Sequence, residues 1–123
     1  MSLKLCHLVP AFCFLAFVSP ASAHHSFATK YDASKTVQLS GTVGDVHLQN
    51  PHSTFEFVAG GKTWTVETEG LTAAAGAGLN SSNLKSGSAA ALTGWPARDG
   101  SPALGLHTIT LGGKTLTLRR SAR

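Results

Sequence analysis

The chain has 123 residues, which is enough for one domain with a modest hydrophobic core and too few for two. Its formal net charge is +4, yet residues 24–118 carry six basic and six acidic side chains, so this part of the chain is neutral. The excess comes from Lys4 and from three arginines in a basic C-terminal tail, 119–123. A neutral body lacks the basic face with which proteins bind phosphate backbones, and we therefore expect no nucleic-acid partner.

Residues 1–23 have the three-part layout of a secretory signal peptide. A lysine precedes an apolar stretch of 14 residues, 5–18, and Pro20 breaks this stretch before the small residues Ala21-Ser22-Ala23. The apolar stretch is shorter than the roughly 18 to 20 residues that span a bilayer. We therefore expect cleavage and periplasmic export, with no stable membrane anchor. Both cysteines lie in this segment, so the mature chain would form no disulfide.

The first strand after this segment shows a change of phase. Apolar residues from Val37 to Val43 alternate on one face, whereas Val46 and Leu48 fall on the other face. The change occurs near Gly44, and a β-bulge or a sharp bend is its simplest cause. The pattern therefore predicts one long, bent strand.

Glycine pairs and a short alanine-rich stretch organise the rest of the chain. Gly60-Gly61 and Gly112-Gly113 each separate two alternating runs and predict β-hairpins. Between them, the sequence predicts a short helix over 71–79, a fourth strand over 89–93 and a turn-rich loop over 95–100. We expect a mostly β fold, a small OB-like barrel of five to six strands with one short helix. Its boundaries would be 37–118, after an N-terminal arm, 24–36.

Several stretches carry a resemblance to a known family. They are "HHSFATKYD", "VQLSGTVGDVHLQNPHS", a tryptophan in the third predicted strand, and "LTGWPARDG". Together they resemble a family of small exported bacterial proteins, domain of unknown function 6152, from His24 to about Leu118. The resemblance implies a periplasmic, OB-like barrel and brings no known activity. The chain departs from the family in "LTAAAGAGLN", where members usually carry charged residues and a tryptophan.

Histidines are the only soft or borderline metal ligands of the mature chain besides its α-amino group. Cleavage after Ala23 would make His24 the first residue, whose amine and ring nitrogen can chelate one ion. A further histidine would complete a T-shaped set that suits Cu(II). His52, held in a turn by Pro51, is the first choice for this ligand, with His25 or His47 behind it. Copper is the one cofactor that the sequence indicates.

Cleavage after Ala21 would give a different copper site. The mature chain would begin Ser22-Ala23-His24. The amine, two deprotonated amides and the imidazole could then enclose Cu(II) or Ni(II) in a square plane without help from the fold. The cut after Ala23 is favoured because it places small residues at both recognised positions.

The remaining aromatic, histidine and glutamate side chains are expected to have structural positions in the core, in a turn or on the solvent-exposed face of the sheet. Phe55, Phe57 and Trp64 are expected in the core, and His107 is expected to share a buried face with Ile109 and Leu111. His47 is expected to face solvent if it is not a ligand, and the His52 ring could instead bond the turn backbone. Three glutamates that alternate on neighbouring strands are expected on the wet face of the sheet, namely Glu56, Glu67 and Glu69.

The sequence contains no Gly-x-Ser-x-Gly elbow, no phosphate-binding loop, no Cys-x-x-Cys and no His-Glu-x-x-His motif. We therefore expect an exported binding module and not an enzyme, with a metal ion or a periplasmic protein as its partner. The alternative is a metal-free OB-like module that binds a periplasmic protein or a small ligand in the barrel mouth. A copper mono-oxygenase with the same chelate is a third and weaker interpretation.

Overall fold

Six strands and one short helix follow one another in the computed structural model, which describes residues 27–118. The elements in chain order are β1 (Val37–His47), β2 (His52–Ala59), β3 (Lys62–Glu69), α1 (Leu71–Gly76), β4 (Ala89–Pro96), β5 (Ala103–Leu111) and β6 (Lys114–Thr117). Residues 27–30 form a further helical turn ahead of β1. Neither helical segment within 27–118 has the length and apolar character to cross a bilayer.

Five of the strands form a closed barrel. The antiparallel order is β3-β2-β1-β4-β5, and a parallel pairing between β3 and β5 joins the two ends of this series. We call this parallel pairing the β3–β5 seam. β6 pairs with β5 as an extra strand outside the ring. The mostly β, OB-like barrel with one short helix is therefore confirmed.

β1 is a long strand that bends in its middle, and its two halves pair with different strands. Its N-terminal half pairs with β4, from Val37 to Thr42, and the register with β2 shifts between Val43 and Val46. An irregularity of this kind reverses the faces of the residues that follow it. The predicted change of phase near Gly44 is confirmed.

Both predicted Gly-Gly hairpins are present. Gly60 and Gly61 connect β2 to β3 with φ values of 59° and 74°, and Gly112 and Gly113 connect β5 to β6 with 55° and 79°. Two successive positive φ angles match the right-handed twist of the flanking strands, and glycine adopts them without a Cβ clash.

The main hydrophobic core is formed by apolar side chains from all six strands, the segment around α1 and the last described residue. Phe55 and Phe57 are among them, as predicted, and each is fully buried. Burial of one such side chain stabilises the fold by about 1.5–3 kcal/mol. The buried set is Val43, Phe55, Phe57, Ala59, Val66, Ala74, Leu79, Leu84, Leu92, Leu104, Leu106, Ile109, Leu116 and Leu118.

The ends of α1 and β4 differ from the sequence prediction. α1 ends at Gly76 instead of residue 79, and Gly78, just beyond it, has a φ of 95° that does not continue a helix. β4 extends to Pro96 instead of ending near Thr93, because Trp95 and Pro96 still pair with β5. Pro96 has no N–H to donate. It lies beyond the last residue of β4 that pairs with β1, so no hydrogen bond between these two strands is lost.

Candidate functional site around Glu67

The described part of the N-terminal arm lies on the outer surface of the barrel, over the β3–β5 seam. Phe27 and Tyr31 are 3% and 1% exposed, and their ring centroids are 4.6 Å apart. Phe27 also meets Trp95 edge to face, at 5.8 Å between centroids. These side chains form a second apolar cluster, separate from the barrel core, which we call the outer cluster: Phe27, Tyr31, Trp95, Ala97 and Ala103.

Gly105 gives the two rings of the arm room to approach the barrel. It lies at the seam, paired with Glu67 on one side and Trp95 on the other. A Cβ atom at this position would overlap Phe27 and would come within 3.1 Å of Tyr31 Cγ. The absence of a side chain on Gly105 therefore allows the outer cluster to form.

Backbone hydrogen bonds attach the arm to the end of β4 and to the loop that follows it. Asp32 N–H donates to the Pro96 carbonyl over 2.9 Å, and Arg98 N–H donates to the Lys30 carbonyl over 2.9 Å. The Arg98 side chain adds a bond from Nε to the Ala28 carbonyl, at 3.0 Å. The chain from residue 27 onward is thus tied to the barrel by its backbone as well as by its rings.

A buried carboxylate lies beside this attachment. Glu67 on β3 is 8% exposed, and its Oε2 accepts hydrogen bonds from Lys30 Nζ at 2.7 Å and from the Tyr31 hydroxyl at 2.9 Å. Its other oxygen, Oε1, is 3.5 Å from His52 Nδ1. We call these four residues the Glu67 cluster: Lys30, Tyr31, His52 and Glu67. The cluster joins the arm to β2 and β3.

The cluster keeps Glu67 in its charged form. Burial alone would raise the pKa of this carboxyl, but the hydrogen bonds from Lys30 and Tyr31, together with the Lys30 charge, outweigh burial and hold the pKa below its ordinary value of 4.5. Glu67 is therefore an anion near neutral pH.

The prediction that all three alternating glutamates lie on a wet face is wrong for Glu67. Glu56 is exposed and Glu69 is half-buried, but the arm covers Glu67. Period-two alternation reports which face of the sheet a residue occupies, and it carries no information about a distant segment that packs on that face. No local signal in the sequence marks Glu67 as buried.

Two of the predicted metal ligands lie on one face of the sheet. Thr54 on β2 pairs with His47 on β1 and with Glu67 on β3. His52 lies two residues before Thr54 on β2, so its side chain is on the same face of the sheet. His47 is exposed, and the His52 side chain is 24% exposed. Diagonal neighbours of this kind are about 7–8 Å apart, and their Cβ atoms are somewhat closer. His24 and His25 lie outside the described residues.

The turn before His52 is held by other side chains. Ser53 Oγ accepts a hydrogen bond from Gln49 N–H at 3.1 Å and contacts the Gln49 carbonyl at 3.2 Å. Asn50 Oδ1 accepts the Leu71 N–H at 3.0 Å, which ties the turn to the start of α1. The Asn50–Pro51 peptide bond is cis. The Nδ1 atom of the His52 ring lies 3.5 Å from Glu67 Oε1.

His107 differs from the prediction that placed it beside Ile109. Its ring lies 5.1 Å from Trp95, between centroids, whereas Ile109 is fully buried in the barrel. The register between β4 and β5 skips one residue here, since Thr93 pairs with Thr108 and Gly94 with Leu106. The irregularity places His107 and Ile109 on opposite faces.

A small apolar hollow lies between α1 and the end of β1 and is a second candidate site. Its volume is about 120 Å³, and its lining is mostly apolar. Leu71 at its edge is 43% exposed. The lining residues are Leu48, Leu71, Ala74, Ala75, Leu79, Asn80 and Ser81.

Within residues 27–118, no three side chains among histidine, cysteine, aspartate and glutamate are grouped so as to hold a metal ion by themselves. No curated protein matches the chain. The model of a family of unknown function (DUF6152) matches residues 13–107, which includes the arm, the Glu67 cluster and the barrel as far as His107. The match covers most of the chain, and this protein therefore belongs to that family.

Proposed function

We propose that this protein is an exported, non-enzymatic binding module that holds Cu(II) through His24, as the first residue of the mature chain, and His52. One observation supports this most directly. The chain that follows His24 and His25 is fixed on the barrel through the Glu67 cluster, which also contains His52. His24 is three residues before Phe27, so its Cα is within about 11 Å of the Phe27 Cα.

The proposed ligands suit copper. The α-amino group has an ordinary pKa of about 7.7 to 8.0, so a useful fraction is neutral near pH 7 and Cu(II) can displace the remaining protons. The amine and the ring nitrogen of His24 chelate the ion, and an imidazole from the barrel completes a T-shaped set. His47, on the same face as His52, and His25 are the alternative third ligands.

The proposal also accounts for the lack of a complete site in the described barrel. If two donors come from His24, the barrel has to supply only one or two imidazoles. The face that carries His47 and His52 offers two. Without the N-terminal donors, this face would bind copper weakly.

The second candidate function is a metal-free module. The hollow between α1 and β1 favours it, since its lining is apolar and Leu71 is partly exposed. However, its volume of about 120 Å³ is below the roughly 300–1,000 Å³ of pockets that enclose drug-sized ligands. Such a hollow would accept one small apolar group, such as a side chain of a periplasmic protein.

Copper titration of protein purified from the periplasm tests the leading proposal. Intact mass first establishes whether the chain begins at His24. Cu(II) binding is then compared between wild type, His24→Ala, His52→Ala and a form with one additional N-terminal methionine. We expect His24→Ala and the extended form to lose high-affinity binding, because each removes part of the chelate, and His52→Ala to weaken it.

Two results would contradict the proposal in different ways. Equal binding by all four proteins would show that the N-terminal site is wrong. Loss in the two N-terminal variants with full retention in His52→Ala would keep the amine chelate and exclude His52 as a ligand. His107→Gln is the matched control, because it removes an imidazole outside the proposed set.

A further inference from the structure

We propose that Glu67 is a positioning residue for His52, whose ring it holds with Nδ1–H toward the carboxylate and Nε2 turned away as the metal ligand. This inference rests on the proposed function in one respect, namely that the ion bound at Nε2 is Cu(II). The orientation of the ring is a property of the protein alone and can be measured without metal.

The geometry of Glu67 supports a fixed orientation. Lys30 Nζ and the Tyr31 hydroxyl both bind Oε2, at 2.7 Å and 2.9 Å, which leaves Oε1 directed at His52. Tyr31 is 1% exposed and is held by the outer cluster, so the carboxylate cannot rotate freely. Glu67 therefore presents a constrained negative charge to the ring.

The charge of Glu67 selects one tautomer of neutral His52. A neutral imidazole carries one N–H and one lone pair, whereas an ionised carboxylate only accepts hydrogen bonds. At 3.5 Å, a lone pair on Nδ1 would face the negative Oε1, but an N–H would be attracted to it. The favoured tautomer has its proton on Nδ1 and its lone pair on Nε2.

This arrangement matches a general property of metal-binding histidines. A ligating histidine usually donates its second ring N–H to a carboxylate, carbonyl or water, which fixes the tautomer and raises the basicity of the ligating nitrogen. Here the same carboxylate also binds the arm through Lys30 and Tyr31. Glu67 would thus hold the barrel ligand and the segment that carries the N-terminal ligand at the same time.

NMR of the metal-free protein tests the orientation. Long-range ¹H–¹⁵N correlations of the His52 ring, recorded at a pH where the ring is neutral, identify which nitrogen carries the proton. We expect the Nδ1–H form in wild type. In Glu67→Gln, whose amide can donate as well as accept, we expect a mixture or the other tautomer. An Nε2–H ring in wild type would overturn the inference.

Copper affinity tests the consequence for binding. We expect Glu67→Gln to weaken Cu(II) binding by about 10- to 100-fold, which is typical when the partner of a ligating histidine is changed. Glu56→Gln is the matched control: it makes the same substitution at an exposed glutamate on the neighbouring strand and should change affinity less than twofold. Circular dichroism confirms that both variants are folded.

The outcomes separate the two proposals. If wild type binds no copper, the proposed function fails, and the NMR result still decides the orientation of His52. If binding requires His24 but is unchanged in Glu67→Gln, the N-terminal chelate stands and the positioning role of Glu67 is wrong. Electron paramagnetic resonance of the copper form should show one fewer bound imidazole in His52→Ala than in wild type.

Discussion

Replacing Gly105 with alanine tests whether the arm depends on the close approach at the β3–β5 seam. The new Cβ would overlap Phe27 and lie 3.1 Å from Tyr31 Cγ, so the two rings must move outward or leave the barrel. Added atoms in a well-packed site cost about 1–3 kcal/mol. Complete release of the arm would cost more, since burial of each large apolar side chain contributes about 1.5–3 kcal/mol. A local shift is therefore the cheaper response.

We expect Gly105→Ala to lower the free energy of unfolding by about 2 kcal/mol, or the melting temperature by roughly 10 °C for a domain of this size. Urea unfolding followed by circular dichroism measures the loss. Tryptophan fluorescence, compared in a Trp64→Phe background so that only Trp95 emits, reports whether the outer cluster has loosened. Gly76→Ala is the control, because a Cβ there meets no atom within 4 Å and should be neutral or stabilising. Wild-type stability in Gly105→Ala would refute the close packing of the arm.

Three further substitutions test individual contacts by urea unfolding. Glu67→Gln should lower the free energy of unfolding at pH 7. The difference from wild type should shrink as the pH falls below 4.5, because the pKa of Glu67 is lowered in the folded protein and the stabilisation by its carboxylate is lost on protonation. A difference that stays constant with pH would contradict this. Thr68→Val should gain about 1 kcal/mol, since the Thr68 hydroxyl is buried without a hydrogen-bond partner in the described structure; a loss would indicate a partner. Asn50→Ala should lower the free energy of unfolding by about 1 kcal/mol, because it removes the acceptor of the Leu71 N–H. An unchanged urea midpoint would show that this hydrogen bond does not stabilise the fold.

Local patterns predicted most of the barrel. The alternation around Val43 and Val46 reported the bend in β1, and the two Gly-Gly pairs reported the hairpins, because each signal depends on neighbouring residues alone. Phe55 and Phe57 were recognisable as core residues for the same reason. The elements were therefore accessible from sequence, and so was the fold class.

Contacts between distant segments were not predictable in the same way. The burial of Glu67 depends on Lys30 and Tyr31, which are 37 and 36 residues away in the chain. The position of His107 depends on a register irregularity opposite Gly94. His52 was identified as a candidate from its residue type and its turn, but its neighbour Glu67 could be identified only from the structure.

The arm has a consequence for the order of folding. It contacts groups from β3, β4 and β5 together, and the β3–β5 seam joins segments that are separated by about 40 residues. Such non-local pairing forms late, because the cost of closing the intervening loop comes before the contacts that offset it. The arm makes its full set of contacts only when β3, β4 and β5 are in place together. A site that joins His24 to His52 would therefore exist only in fully folded molecules, and a partly folded chain would not present it.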